Sequence, residues 1–173
     1  MQKGNLLIFL LMSAQACIAQ FNIEMGIPSI REGISSNFTI IGTYARVGYQ
    51  NQRIGYSILF SRASILNDFI NKKSIGLTAD YEIKLKKNNQ LIIKPGLMTM
   101  FTKNKFNDPL FNNNVYAIGP KVSIQLELRK RISFISHSSL MYGIQKQKIN
   151  QLNNTVYHFP IIASIGINYI INN

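Results

Sequence analysis

This chain is short of cysteine, tryptophan and negative charge, and each shortage closes off a class of function. It has one cysteine, Cys17, and two well-separated histidines, His137 and His158. That set cannot supply the clustered ligands of a metal site, and no metal or other cofactor is expected. Asp and Glu total 7 against 19 Lys and Arg, a formal net charge of +12. Such a balance calls for nucleic acid or an anionic surface as partner. No aromatic-studded basic motif of the RNA-binding kind is present, so nucleic acid is not expected. There is no phosphate-cradling glycine loop and no dinucleotide fingerprint. No stretch beyond the N-terminus holds 18 uninterrupted apolar residues, which excludes a transmembrane helix.

The N-terminus reads as an export signal over 1–19. Lys3 gives the basic start, Leu6 to Met12 the apolar core, and Cys17-Ile18-Ala19 the small-residue cleavage site before Gln20. The apolar core is too short to cross a bilayer as a helix. A cut after Ala16 would leave Cys17 as a lipidated first residue, but Ala14-Gln15-Ala16 lacks the leucine usual three residues before such a cysteine. With cleavage after Ala19 the mature chain, 20–173, is one domain without a thiol and without disulfides.

Within 20–173 the apolar residues alternate. From Phe159 to Ile171, odd positions (Ile161, Ala163, Ile165, Ile167, Tyr169) are apolar and even ones include Ser164, Gly166 and Asn168. Strand side chains point alternately to opposite faces, so the segment has one greasy face and one small, polar face. The pattern recurs in eight segments: 21–27, 38–50, 53–64, 74–85, 90–101, 115–128, 132–143 and 156–171. Tight polar turns at 51–52, 86–89 and 129–131 alternate with longer Asn-, Lys- and Ser-rich loops at 28–37, 65–73, 102–114 and 144–155. The fold class expected is all-β: an eight-stranded antiparallel up-and-down transmembrane barrel with short turns at one end and longer loops at the other.

A soluble barrel alternates too, and a soluble carrier of a small apolar ligand is a competing reading. The polar face argues against it. A solvated face would be crowded with long polar side chains, whereas this one carries Gly42, Gly48, Gly55, Gly76, Ser123, Ser133 and Gly166 among others. Small residues fit the cramped inside of an eight-stranded barrel. By the same parity Glu24, Asp80, Glu82 and Glu127 point inward, as do Arg46, Lys84, Lys94 and Lys121. Equal numbers of acids and bases allow full pairing, which buried charge requires. The expectation is a salt-bridged, plugged lumen. Tyr49, Phe134 and Tyr169 fall near the turn end and Phe60, Phe101, Tyr116, Tyr142 and Phe159 near the loop end, as interfacial aromatics would. Pro95-Gly96 and Gly119-Pro120, nearly opposite in one hairpin, suggest a paired bulge or kink. Pro160 suggests the start of regular pairing in the last strand.

In these features the chain resembles the small eight-stranded outer-membrane barrels of Gram-negative bacteria, of the OmpX and OmpA-barrel type. The resemblance spans the mature chain. Its most specific part is the C-terminal insertion signal, matched by Ser164, Gly166, Tyr169 and Ile171, although Asn172-Asn173 follow where the family often ends on an aromatic residue. It implies an outer-membrane location, insertion by the barrel-assembly machinery, outer-membrane lipid and lipopolysaccharide as partners, and a monomer.

Two readings of the chemistry follow. Some barrels of this size are lipid A deacylases with a His-any-Ser pair on one strand, and His137 with Ser139 has that spacing. Parity turns both into the lumen, Leu140 stands where an Asn usually follows, and no acid lies in the next loop or last strand, so a non-enzymatic barrel is expected. The other reading rests on Lys72, Lys73, Lys103, Lys105, Lys146 and Lys148. These are taken as basic outer loops facing the phosphates of lipopolysaccharide, with envelope integrity or surface adhesion as the role.

Overall fold

Extended backbone exposes an N–H and a C=O at nearly every residue, and these groups must pair with a neighbouring strand. The computed structural model describes residues 20–32, 39–64, 70–85, 90–106, 112–149 and 152–171, and joins them in one antiparallel sheet. Its segments are β1 (Gln20–Glu32), β2 (Thr39–Asn51), β3 (Ile54–Ser64), β4 (Ile70–Tyr81), β5 (Ile83–Lys84), β6 (Leu91–Phe106), β7 (Asn113–Arg129), β8 (Ile132–Leu140), β9 (Tyr142–Ile149), β10 (Leu152–His158) and β11 (Pro160–Ile170). β5 continues β4, β9 continues β8, and β11 continues β10, so the wall has eight staves. Each stave pairs with the next in sequence, and β1 pairs with both β2 and β11, which closes the barrel. The segment 1–19 with Cys17, and the turn at 86–89, lie outside the described residues.

The two faces follow the alternation. Outward positions expose large apolar side chains: Met25 is 63% exposed, Leu77 58%, Ile167 59%. Inward positions are buried, among them Glu24, Arg46, Ser123, Ser133 and Asn168. On β6 the outward residues from Leu91 to Phe101 carry no charge, and Lys103 and Lys105 come only above them. That uncharged length matches the roughly 9–11 residues of a tilted strand crossing hydrocarbon. An apolar belt this continuous belongs in lipid and not in water, which removes the soluble carrier.

The ladders run further than the sequence suggests. β1 continues to Glu32, β4 starts at Ile70, β6 ends at Phe106, and β9 and β10 pair up to Ile149↔Leu152. Much of what reads as loop is therefore strand. Above the apolar belt the outward positions turn polar as well, as at Lys73, Lys103 and Lys105, so the period-two signal fades while the backbones still pair.

The prolines correct a second expectation. Pro95 pairs with Val122 and Pro120 with Leu97 in an unbroken β6–β7 register, without a bulge. What lapses is the pairing on each proline's other side. β4 and β5 part opposite Pro95, between Asp80↔Gly96 and Ile83↔Ile93. β8 and β9 part at Met141, between Pro120 and Pro160. Pro28 likewise sits where β1–β2 pairing lapses between Gly26↔Tyr44 and Ser29↔Ile41. Register is the same on both sides of each lapse, so each interrupts two residue pairs without a shift. Nor does Pro160 open the last stave, because β10 is already paired with β9.

Of the C-terminal signal, Ser164 and Gly166 face inward while Tyr169 and Ile171 face out. Gly166 has a packing reason to be glycine: it opposes Gly26, and the Tyr44 ring lies over both. A β-carbon at Gly166 would strike the Tyr44 hydroxyl and the Met25 carbonyl. Gly166→Val is expected to destabilise the barrel by about 1–3 kcal/mol through overpacking. A urea-unfolding midpoint unchanged from wild type would contradict this packing.

Candidate functional site in the barrel lumen

Two cross-strand pairs on opposite walls build the centre of the lumen. Glu24 and Arg46 are direct partners across β1 and β2, and Ser123 and His137 across β7 and β8. All four point inward and meet. His137 Nε2 lies 2.6 Å from Glu24 Oε1, and its Nδ1 2.6 Å from Ser123 Oγ. Arg46 Nη1 lies 3.3 Å from Glu24 Oε2 and 2.8 Å from His137 Nε2. The Tyr44 hydroxyl donates to Glu24 Oε1. One carboxylate thus takes a guanidinium, an imidazole and a phenol, as a charge out of water needs.

A second pair stands beside the first: Lys121 Nζ is 2.5 Å from Asp80 Oδ2. Lys94 lies 3.2 Å from Glu82 and donates to Gln50 Oε1 at 3.2 Å. The eight charges assigned inward by parity therefore form no uniform network. Lys84 reaches Glu82 at 3.4 Å, yet its side chain is 60% exposed. It sits at the end of a stave, just past the β4–β5 break. Glu127 is half-buried on the wall of a vestibule at the turn end, with Glu82, Lys94, Lys130 and Asn168, enclosing about 310 Å³.

Along the axis the chemistry is layered. Next to the paired charges lies an apolar collar of Tyr44, Leu59, Met98, Met100, Met141 and Ile162, all buried inside the barrel. The space left around the charged layer is about 30 Å³, and beside the collar about 20 Å³. Each holds roughly one or two waters. Toward the other end the lumen turns polar again, with Ser74 bonded to Thr102 at 2.8 Å and Asn104 to Asn113 at 2.7 Å. Parity alone did not mark this collar, although Leu59 shares the parity of Gly55 and Ser57 on β3, and Met98 and Met100 that of Lys94 on β6.

His137 and Ser139 are both buried, but the imidazole engages Ser123. The reason is register: Ser123 is directly across from His137, while Ser139 is two residues along the same strand. An acid reaches the imidazole from outside the next loop and last strand: Glu24 of β1. The order Ser123–His137–Glu24 is that of a hydrolytic triad, yet Ser123 is fully buried. A nucleophile must also meet its substrate.

The six lysines read as outer loops lie in strands instead: Lys72 and Lys73 in β4, Lys103 and Lys105 in β6, Lys146 and Lys148 in β9. Lys72 points inward and is buried, whereas Lys73, Lys103 and Lys105 are exposed on the outside. This too follows from ladders running past the bilayer edge.

No family profile and no curated protein matches this sequence. Solved structures do. One is the outer membrane protein AlkL in lipid bilayers, at TM-score 0.58 and 10% identity, covering 90% of this chain and 91% of that one. Another is a major outer membrane protein from Thermus thermophilus, at TM-score 0.56 and 11% identity, covering 88% and 99%. A third is Neisserial surface protein A, at TM-score 0.54 and 10% identity, covering 87% and 96%. The chain folds as a small outer-membrane β-barrel. At such identities the likeness carries the fold alone, and the lipid-facing belt described above agrees with it.

The site yields a stability prediction. Arg46→Gln leaves Glu24 short of its cation and is expected to cost about 3–5 kcal/mol, with Glu24→Gln/Arg46→Gln recovering part of the loss. Lys84→Ala, at an exposed position, is expected to stay within about 0.5 kcal/mol of wild type. Urea titrations of barrels refolded in lipid vesicles measure all three, and equal losses for Arg46→Gln and Lys84→Ala would contradict the assignment.

Proposed function

We propose that this protein is a non-enzymatic, non-conducting outer-membrane barrel that serves envelope integrity or surface binding through its water-exposed outer ends. The observation that carries this reading is the pairing of Glu24, Arg46 and His137 across the axis, next to the collar of Met98, Met100 and Met141. An ion in transit would have to break the first and dehydrate at the second. Insertion by the barrel-assembly machinery and a monomeric state complete the proposal; the closed sheet supports the latter because it offers no unpaired edge for a second copy.

Planar bilayers measure the first half of this reading. The purified barrel is expected to give no stable current steps, and reproducible single-channel conductance would overturn the closed lumen. The non-enzymatic half is tested by incubating the refolded barrel with lipid A and following acyl chains by mass spectrometry. No release is expected from the wild type, from Ser123→Ala or from His137→Ala. Release that disappears in either variant would instead make Ser123–His137–Glu24 a working triad.

A further inference from the structure

On the outside of the barrel, just past the apolar belt, cations line up across neighbouring staves. Arg62 of β3 pairs in register with Lys73 of β4, and Lys73 with Lys103 of β6. The row continues through Asn114 of β7, and Lys146 of β9 occupies its next register position. Arg62, Lys73 and Lys103 are all exposed, and Lys105 stands two residues above Lys103 on the same face. None of the three is held by a carboxylate among the described residues. The carboxylates whose side chains are described, Glu24, Asp80, Glu82 and Glu127, all belong to the lumen or its turn-end vestibule.

The row below fixes what faces these cations. Two residues nearer the membrane centre, the same staves carry Phe60, Ile75, Phe101 and Tyr116, again in unbroken register. Phe60 is 50% and Tyr116 55% exposed, and the Phe101 and Tyr116 rings pack at 4.9 Å. Aromatic rings on a lipid-facing surface mark the level where acyl chains meet headgroups. The cations above them therefore sit at headgroup height and point toward the surrounding lipid, not toward bulk solvent above the barrel. Adjacent staves are about 4.8 Å apart, so the row from Arg62 to Lys103 spans roughly 10 Å, wide enough to meet more than one phosphate at once.

We infer that Arg62, Lys73 and Lys103 form a lateral site for a lipid headgroup bearing two or more phosphates, held against the barrel wall with its chains on the Phe60–Tyr116 row. The inference rests on the membrane seating in the proposed function, but it is independent of the closed lumen. An Arg in the row adds two-pronged phosphate geometry to the point charges of the lysines. It also gives part of the +12 net charge a specific task.

The test uses the purified barrel in phosphatidylcholine nanodiscs, titrated with diphosphorylated lipid A and read by native mass spectrometry as lipid retained per barrel. Arg62→Gln/Lys73→Gln/Lys103→Gln is expected to weaken retention on the order of a hundredfold, with Lys73→Gln alone in between. The charge-matched variant Arg129→Gln/Lys130→Gln/Arg131→Gln, at a turn, is expected to retain lipid as the wild type does. Retention of dephosphorylated lipid A is expected to be weak and the same in all variants. Heat-dependent gel mobility shows that each variant is folded. Unchanged retention in the row variant, or an equal loss in the turn variant, would overturn the site. Such a failure would leave the conductance and acyl-release results untouched, so the two readings fail separately.

Discussion

Hydrocarbon offers no partner to a backbone N–H or C=O, and the rest of this structure depends on that constraint. A sheet in lipid must close on itself, and the pairing of β1 with β11 meets the requirement. Closure divides every stave into a face that meets acyl chains and a face that meets the other staves. Eight staves leave an interior only wide enough for side chains. Small residues there make room for larger ones: Gly26 and Gly166 for Tyr44, and Gly48 for Asn22. Pro28, Pro95, Pro120 and Pro160 obey the constraint too: each keeps its register and gives up pairing on one side only.

A barrel interior this narrow has to satisfy its own polar groups. Glu24 is the clearest case, gathering a guanidinium and a phenol from β2 and an imidazole from β8. The same density of contacts produces a Ser–His–Glu sequence of hydrogen bonds around a fully buried serine. Access is what separates a structural cluster from a catalytic one. The exterior solves the opposite problem, with apolar residues against lipid and cations above them.

Most of the fold was legible because its physics has a period of two. Strand existence, closure and orientation all follow from which parity is greasy, as in 115–128 and 159–171. The inward assignment of Glu24, Arg46, Asp80 and Lys121 followed from the same parity. What parity cannot give is height and partner. It placed Lys84 inward without showing that a stave end is open to water. It put His137 beside Ser139 in sequence, while cross-strand register put it beside Ser123. Beyond the bilayer, residues such as Lys73 and Lys103 are polar on both faces, so continuing strands read as loops. The collar of methionines shares the inward parity of the charges, and parity alone does not separate an apolar layer from a charged one on the same face.

The central claim is orientation: apolar side chains toward lipid and ionised ones toward the axis. Cys17 is the only native cysteine, so single cysteines can be introduced along 161–169 in the chain beginning at Gln20 and spin-labelled in lipid vesicles. Collision with oxygen, which dissolves in hydrocarbon, is expected to alternate with a period of two and to peak at Ile161, Ala163, Ile165, Ile167 and Tyr169. Peaks at Ser164, Gly166 and Asn168 instead, or a profile without alternation, would contradict the account.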